Sequence, residues 1–187
     1  GKGTVYVLVR PKSIGKLDEL REFWGADSRK RVVPVKGDLG LPKLGVGKAD
    51  VAKLKGKIKH FYHLGAVYDL EASAEAMAKA NITGTKGALD FAEAVNAGCF
   101  HLVSSIAAAG LYRGTFTEDM FEEAEELDHP YYRTKHDSEA MVRANGRMPF
   151  RVYRPGVVLG HSQTGFIDKI DGPYYFFKAL QRLRESW

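Results

Sequence analysis

The chain has 187 residues, 44% hydrophobic and 27% charged, which is enough for one globular domain with a sizeable core. A formal net charge of +5, with no basic block interleaved with aromatic residues, excludes the usual kind of nucleic-acid surface. The single cysteine, Cys99, excludes an intrachain disulfide, and no apolar stretch reaches the roughly 18 residues of a transmembrane helix. With no visible signal peptide, these features predict a cytoplasmic protein.

In chain order, short apolar runs predict strands, and helical spacing of apolar residues predicts helices between them. The strands are predicted at residues 4–9, 32–35 (interrupted by Pro34), 58–64, 100–104 and 150–153. The helices are predicted at residues 14–24, at 72–95 with an interruption near Asn81, from Pro130 onward, and at 174–183. Residues 43–48 are rich in Gly and Lys and predict a loop.

Alternating strands and helices indicate a parallel sheet with helices on both faces. The strands are apolar runs rather than alternating patterns, as expected for a sheet that is buried on both sides. The sequence therefore predicts a doubly wound α/β fold. We expect residues 1–160 to form a dinucleotide-binding domain and residues 161–187 to begin a substrate-binding region.

The phosphate-binding turn of such a domain is missing from the sequence. A dinucleotide-binding unit holds the pyrophosphate in a Gly-rich turn between its first strand and first helix. No G-x-G-x-x-G segment occurs here, and the Gly-Lys-Gly of residues 1–3 has no strand before it and no helix after it. We therefore expect a truncated domain that lacks its first strand, turn and helix, roughly 25 to 30 residues. Residues 174–183 end without a capping residue, so a longer natural chain is expected there too.

Three side chains predict a site for carbonyl reduction. Tyr131 and Lys135 are four residues apart in a predicted helix and so lie on one face, about one turn from each other. A neighbouring ammonium favours the phenolate and lowers the pKa of a tyrosine, ordinarily about 10. Ser105 follows a predicted strand, at the sheet edge where ligands of open α/β folds bind. A tuned acid beside a hydroxyl that can hold a carbonyl oxygen is suited to reducing that carbonyl.

These residues belong to a series of motifs that resembles the extended short-chain dehydrogenases/reductases. In chain order the motifs are Gly37-Asp38-Leu39, His63-Leu64-Gly65-Ala66, Asn81-x-x-Gly84-Thr85, Ser105, Tyr131-x-x-x-Lys135 and Tyr153-Arg154-Pro155-Gly156. Within that group, segments 103–111, 118–124, 129–131 and 171–177 are similar to bacterial alcohol-forming fatty acyl-CoA reductases. The resemblance implies a Rossmann-like fold and a role in lipid metabolism. It also implies NADPH-dependent reduction of long-chain fatty acyl-CoA to aldehyde and on to fatty alcohol.

The resemblance also implies residue roles. Tyr131 would donate the proton, and Lys135 would tune it and bind the nicotinamide ribose. Ser105 would hydrogen-bond the substrate oxygen, with its neighbour Ser104 as the competing candidate. Further cofactor contacts are implied for Asp38, Leu39, Leu64, Gly65, Ala66, Asn81, Pro155, Gly156 and Val157.

Several of these roles have simpler structural alternatives. Asp38 either accepts a hydrogen bond from the adenine amino group or caps a turn. Asn81 either helps to fix the ends of the catalytic strands or is a helix N-cap. Tyr68 either faces the substrate or packs, and the aromatic run 174–177 either lines an acyl pocket or belongs to a helix core.

Arg10 indicates which nicotinamide cofactor is used. NAD-specific enzymes place an acidic residue at the end of the corresponding strand, whereas an arginine there accommodates the 2′-phosphate of NADP. Arg10 stands at the end of the strand 4–9, and a guanidinium suits a bidentate phosphate contact. We therefore expect NADPH.

The sequence leaves rival functions open. One is a reductase that stops at the aldehyde, a second is an epimerase or dehydratase of the same superfamily, and a third is a non-catalytic NADP-sensing interaction protein. A metal site is not expected, because His60 and His63 are three residues apart in a strand and face opposite sides. An acyl-CoA substrate is expected as the partner, and a homo-oligomer is left open.

Overall fold

The computed structural model describes residues 2–67, 72–167 and 173–185. It divides the chain into two compact units, Gly1–Arg154 and Pro155–Trp187. The first unit carries the sheets and the candidate site, and the described residues of the second include one helix. Tyr68 and residues 171–172 lie outside the described residues, so the two interpretations of Tyr68 both stay open.

Two parallel sheets make up the centre of the first unit. Their strands are β1 (Val5–Val9), β2 (Val32–Lys36), β3 (His60–His63), β4 (Cys99–Val103) and β5 (Phe150–Tyr153). β1 pairs with β2, and β3, β4 and β5 form the second sheet in that order. All the pairings are parallel, so the carboxyl ends of neighbouring strands lie at the same edge. This arrangement confirms the parallel α/β prediction.

Helices connect the strands of the first unit. They are α1 (Ile14–Phe23), α2 (Ala26–Arg31), α3 (Lys48–Leu54), α4 (Ala74–Met77), α5 (Gly84–Ala94) and α6 (Pro130–Asn145). The helix α7 (Pro173–Glu185) follows the last strand and lies in the second unit. A π-helical segment, Ala78–Thr83, joins α4 to α5. Short 3₁₀ turns occur at Pro11–Ser13, Pro42–Gly45 and Ile106–Ala109. None of the helices in the described part of the chain is both long and apolar enough to cross a membrane.

Most sequence-predicted elements are present, with three differences. α3 begins at the end of a segment that the sequence predicted as a loop, and its helical pattern was missed. Pro34 does not interrupt β2, which runs through it. The predicted interruption near Asn81 is a π-turn within a continuous helical path rather than a break. A π-turn shifts the backbone hydrogen bonds from the fourth to the fifth residue along the chain without ending the helix.

One hydrophobic cluster packs against both sheets. It includes Val35 of β2, Phe100 of β4, Phe91 of α5 and Val142 of α6, all nearly inaccessible to solvent. Leu8 of β1 packs at its margin. Burying a side chain of this size is worth about 1.5–3 kcal/mol, so this shared cluster holds the two sheets in one unit.

The two outer edges of the β1–β2 sheet differ in sequence. In a parallel strand, alternate residues direct both backbone groups to the same neighbour. Because the Gly37 N–H donates to the Val9 carbonyl, the backbone groups of Tyr6 and Leu8 face away from β2. By the same register Pro34 faces away from β1, which suits an outer edge because proline has no N–H to leave unpaired. The free edge of β1, by contrast, is apolar and carries neither proline nor lysine.

Candidate active site

The site begins where β4 ends and α6 passes over it. His129 is the N-cap of α6, and its Nδ1 accepts a hydrogen bond from the Tyr131 N–H at 3.1 Å, with Pro130 in the first turn. This start places Lys135 one turn into the helix, where its side chain is only 6% exposed. Its Nζ donates to the Val103 carbonyl at 3.1 Å. The ammonium is thereby fixed at the carboxyl edge of the sheet.

A small cavity lies beside this ammonium. Its lining comes from the ends of β3 and β4, from the π-turn and from α6, and it includes His63, Gly65, Ala66, Asn81, Ser104, Lys135 and Ser138. The structure thus brings five of the sequence-named residues together: Gly65, Ala66, Asn81, Ser104 and Lys135. Ser105 and Tyr131 flank the lining residues in the chain but do not line the cavity. The Tyr131 side chain is partly exposed.

Asn81 is the structural centre of the cavity wall. Its Oδ1 accepts from the Val67 N–H at 2.7 Å, and its Nδ2 donates to the Val67 carbonyl at 3.0 Å and to Thr134 Oγ1 at 3.1 Å. The π-turn frees the Asn81 carbonyl, which accepts from Thr85 Oγ1 at 2.6 Å and Ser138 Oγ at 2.8 Å. Asn81 therefore ties the segment after β3 to α6. It lies within the helical path and is not an N-cap.

His63 is a buried polar residue that the sequence interpretation treated only as part of a motif. Its Nε2 lies 3.0 Å from Thr85 Oγ1. Burial, together with the charge of Lys135, lowers the pKa of His63 to about 4, so the imidazole is neutral at pH 7. Its place near the end of a predicted strand, two residues before Gly65, was the available sequence signal. A neutral imidazole here adds no second positive charge to the site.

Two opposing effects act on the pKa of Lys135. Burial lowers the pKa of Lys135, because the protein interior disfavours the charged form. The carboxylate of Glu139, one turn further along α6, acts in the opposite direction and raises it. Lys135 therefore loses its proton more readily than an exposed lysine, and Glu139 limits this effect.

The two serines after β4 have different surroundings. Ser104 is 5% exposed, and its Oγ has no hydrogen-bond partner within the part of the chain that the structure describes. Ser105 is less buried, and its Oγ accepts from the Ala107 N–H at 3.1 Å, which caps the 3₁₀ turn. The Ser105 hydroxyl hydrogen remains able to donate to a ligand. The hydroxyl group of either serine can therefore donate a hydrogen bond to a substrate oxygen.

The loop after β2 reaches the same edge of the sheet. Asp38 Oδ1 accepts from the Gly40 N–H at 2.9 Å, so one carboxylate oxygen caps a turn and the other has room for a further donor. Leu39 packs closely on Gly65, where a Cβ atom would lie 2.6 Å from the leucine Cδ2. A larger residue at position 65 would require the Leu39 side chain to shift.

The remaining sequence-named residues are exposed. Arg10 lies at the end of β1 in the first unit, and Leu64 follows β3 with 66% of its surface accessible. Pro155, Gly156 and Val157 open the second unit and are all exposed. Within the described residues, no group of His, Cys, Asp or Glu side chains could hold a metal ion. His60 and His63 have separate partners, His101 and Thr85, as their opposite orientations require.

Comparison with known proteins decides the family. The model of the NAD-binding "Male sterility protein" family matches residues 1–186. The chain belongs to this family. Membership confirms the predicted Rossmann-like fold and makes the chain an NAD(P)-binding domain from a family of oxidoreductases. The resemblance to extended short-chain reductases is thereby confirmed as well.

This NAD(P)-binding domain matches segments of longer proteins. It is 31% identical over 182 residues to a linear gramicidin synthase of Brevibacillus parabrevis, covering 89% of this chain and 4% of that protein. It is 25% identical over 219 residues to a fatty acyl-CoA reductase candidate of Drosophila melanogaster, covering 95% of this chain and 40% of the relative.

A solved structure shows the same fold. The terminal R domain of the myxalamid PKS-NRPS biosynthetic pathway superimposes with a TM-score of 0.83 at 30% identity. The alignment covers 95% of this chain and 48% of that domain. The chain therefore spans about half the length of this solved relative and less than half of the two curated ones.

Proposed function

We propose that the chain is part of an NADPH-dependent reductase that acts on long-chain fatty acyl-CoA thioesters. The observation that carries this proposal is the buried Lys135 ammonium, fixed on the Val103 carbonyl at the sheet edge, one helical turn from Tyr131. A fixed positive charge at this point can stabilise the negative charge that develops on a carbonyl oxygen as it is reduced. Family membership supports reductase chemistry at this position.

The residues around the cavity suit a nicotinamide cofactor. The Ser104 Oγ supplies a polar atom without a partner among the described residues, and Gly65, which has no side chain, leaves backbone exposed at the end of β3. Asp38 and Leu39 would contact the adenine of NADPH, Leu64, Gly65 and Ala66 would line the cofactor at the end of β3, and Lys135 would bind the nicotinamide ribose. Asn81 would help to fix the strand ends beside the cofactor, and Pro155, Gly156 and Val157 would meet the carboxamide. When bound, the cofactor supplies a hydride to the thioester carbon.

The chain's own residues would then manage charge and protons. Ser105 donates a hydrogen bond to the carbonyl oxygen, and Tyr131 protonates it as the carbon becomes tetrahedral. Lys135 stabilises the phenolate that Tyr131 becomes. The carbon–sulfur bond of the resulting hemithioacetal breaks, releasing coenzyme A as the thiol and leaving the aldehyde. A second hydride and proton would give the alcohol.

Arg10 supports NADPH over NADH. It is exposed at the end of β1, where a guanidinium can grip the 2′-phosphate by two parallel hydrogen bonds. No acidic residue lies beside it in the sequence. Replacement of Arg10 by Ala should therefore weaken the binding of NADPH much more than the binding of NADH.

A reductase that stops at the aldehyde is the second candidate. The likeness to a linear gramicidin synthase subunit and to the terminal R domain of the myxalamid PKS-NRPS biosynthetic pathway favours it. Such an enzyme would accept an acyl group on a carrier-protein thioester in place of acyl-CoA.

We further propose that a strand outside residues 1–187 completes the sheet between β1 and β3. Dinucleotide-binding sheets follow the order 3-2-1-4-5-6. The two sheets seen here supply β2-β1 and β3-β4-β5, which leaves one position open in that order. The unprotected apolar edge of β1 fits an interior strand, whereas Pro34 marks β2 as a true edge. The Gly-rich turn would follow this added strand.

The test is a product assay on the full-length gene product. Palmitoyl-CoA and a palmitoyl carrier-protein thioester are each supplied with NADPH, and aldehyde and alcohol are quantified. We expect palmitoyl-CoA to be consumed, with alcohol as the final product. Aldehyde alone, formed from the carrier-bound thioester alone, would instead establish the second candidate. No NADPH oxidation with either substrate would refute both.

A further inference from the structure

A long irregular segment connects the two halves of the candidate site. Residues 111–124 lie between Ser105 and Tyr131 and contain no regular helix or strand. The segment is closed at its base, because the Leu111 N–H donates to the Glu125 carbonyl at 2.8 Å and the Glu125 N–H donates to the Ala109 carbonyl at 3.2 Å. Long loops with closed ends are uncommon inside compact domains and frequently carry function. We call residues 111–124 the bridging loop.

Arg154 holds the far side of the bridging loop. Its guanidinium donates to the Met120 carbonyl at 2.8 Å and to the Thr117 carbonyl at 3.3 Å. The same group lies 5.1 Å from the ring centroid of Phe116. Arg154 directly follows β5, so the loop is fixed to the carboxyl edge of the sheet.

Glu139 holds Arg154 in this position. The carboxylate of Glu139 is inaccessible to solvent and accepts from Arg154 Nη2 at 2.6 Å and Nε at 3.1 Å, a two-point contact. It also accepts from Arg143 Nε at 2.9 Å, and the Arg143 guanidinium lies 4.7 Å from the Phe121 ring centroid. Phe121 is in turn stacked on His136 of α6 at 4.3 Å. One buried carboxylate therefore orients both cations that grip the loop.

This arrangement is more than a surface ion pair. Burial raises the pKa of Glu139, but hydrogen bonds from Arg154 and Arg143 outweigh it and hold that pKa below its usual range. A buried carboxylate with two guanidinium partners is fully hydrogen-bonded, and removal of its charge leaves both cations uncompensated. Glu139 lies on α6, one turn beyond Lys135, so the residue that anchors the loop and the catalytic lysine lie on the same helix.

We propose that Glu139 is a positioning residue for the reduction: through Arg154 and Arg143 it fixes the bridging loop as the wall that places the acyl thioester beside Ser105 and Tyr131. The proposal rests on the proposed function and adds a determinant of substrate placement to it. Neither the loop nor Glu139 needs to touch the reacting atoms. Their effect is on substrate binding, because a loop that is already fixed loses little further freedom when the thioester binds against it.

The test is Glu139→Gln in the full-length gene product, assayed with NADPH and palmitoyl-CoA. We expect KM for the thioester to rise at least about tenfold while kcat falls less than about threefold, because a loosened loop must be ordered on binding, which weakens the bound thioester and the transition state equally. KM for NADPH should change less than about twofold. Hydrogen exchange of the loop amides should become faster, while that of β4 stays unchanged.

Glu93→Gln is the matched control, since it also removes one carboxylate charge from a pair with arginine. Glu93 accepts from Arg147 and Asn145 at 2.9 Å, away from the bridging loop. This control should leave KM and loop exchange unaltered. A fall in kcat with unchanged thioester KM in Glu139→Gln, or loop exchange equal to that of the wild type, would overturn the proposal.

Arg154→Lys covers the case in which Glu139→Gln does not fold. A lysine keeps the charge opposite Glu139 but cannot span the carboxylate and the two loop carbonyls. We expect the same rise in thioester KM, and an unchanged KM would overturn the proposal. Lack of NADPH oxidation by the wild type with any acyl thioester would refute the proposed function instead. Faster hydrogen exchange of the loop in Glu139→Gln would still show that Glu139 fixes the bridging loop.

Discussion

The two serines that follow β4 pose the sharpest question about single residues. Ser105 was favoured from the sequence, and its hydroxyl hydrogen remains free to donate although its oxygen caps Ala107. Ser104 is the residue that lines the cavity with an unpartnered oxygen in the described part of the chain. The sequence could name the pair but could not predict this difference, which depends on how the 3₁₀ turn directs the two side chains.

Alanine at each serine in turn separates the two assignments. Ser105→Ala should lower kcat by about 100-fold, as expected when one donor to a developing oxyanion is removed. Ser104→Ala should lower it less than about fivefold. Steady-state kinetics with palmitoyl-CoA measures both, and the opposite pattern would transfer the role to Ser104.

His63 predicts how stability depends on pH. Its pKa is about 4 in the folded chain and about 6.5 when unfolded, so acid protonates the unfolded state first. Stability contributed by the neutral imidazole is fully present above pH 6.5 and is lost as pH falls toward 4. A shift of this size corresponds to about 3 kcal/mol in total, and about 2 kcal/mol of it should be lost by pH 5.

Urea unfolding at pH 7 and pH 5 tests this directly. The wild type should lose about 2 kcal/mol more between these pH values than His63→Gln, which has no titrating group at that position. The other ionisable groups are common to both proteins, so they cancel in the difference. Equal losses in the two proteins would show that His63 is not held neutral by burial.

Among the elements, the base of the bridging loop is the most constrained. Gly110 has φ of +64°, and a Cβ atom there would lie 1.8 Å from the Glu125 carbonyl oxygen. Both the backbone conformation and the close contact require glycine. The contact joins the end of the 3₁₀ turn after Ser105 to the segment that leads into α6.

Gly110→Ala should therefore destabilise the chain by at least about 2–3 kcal/mol, because strained φ and a backbone clash act together. Gly56→Ala is the control, since Gly56 has φ of +74° but no atom within 4 Å of its Cβ position. It should cost only about 1 kcal/mol. Chemical denaturation measures both, and equal costs would mean that the loop base relaxes freely.

The elements differ in how well sequence predicts them. The start of α6 could be placed because Pro130 suits a first helical turn. α3 was missed because it buries only Leu54, so its lysine-rich sequence carries little apolar periodicity. The sequence predicted a break in β2 at Pro34, but the strand runs through it because the backbone of Pro34 faces the outer edge of the sheet.

At the scale of the molecule, local patterns predicted the parallel α/β fold and the strand ends that carry the site. They could not predict the ion pairs around Glu139, because these join residues of different elements whose approach is set by packing. The buried state of His63 and the hydrogen bonds of Asn81 were likewise beyond sequence patterns. The open position between β1 and β3 agrees with the missing Gly-rich turn, and both support the proposal of a further strand.

Transfer of label from the cofactor tests the central claim most directly. The full-length protein is incubated with palmitoyl-CoA and NADPH in which both hydrogens at C4 of the nicotinamide are deuterium, and the product is analysed by mass spectrometry. We predict deuterium at carbon 1 of the product, and a rate at least about 100-fold lower for Tyr131→Phe with unchanged palmitoyl-CoA binding. Product without deuterium, or full activity in Tyr131→Phe, would contradict the account.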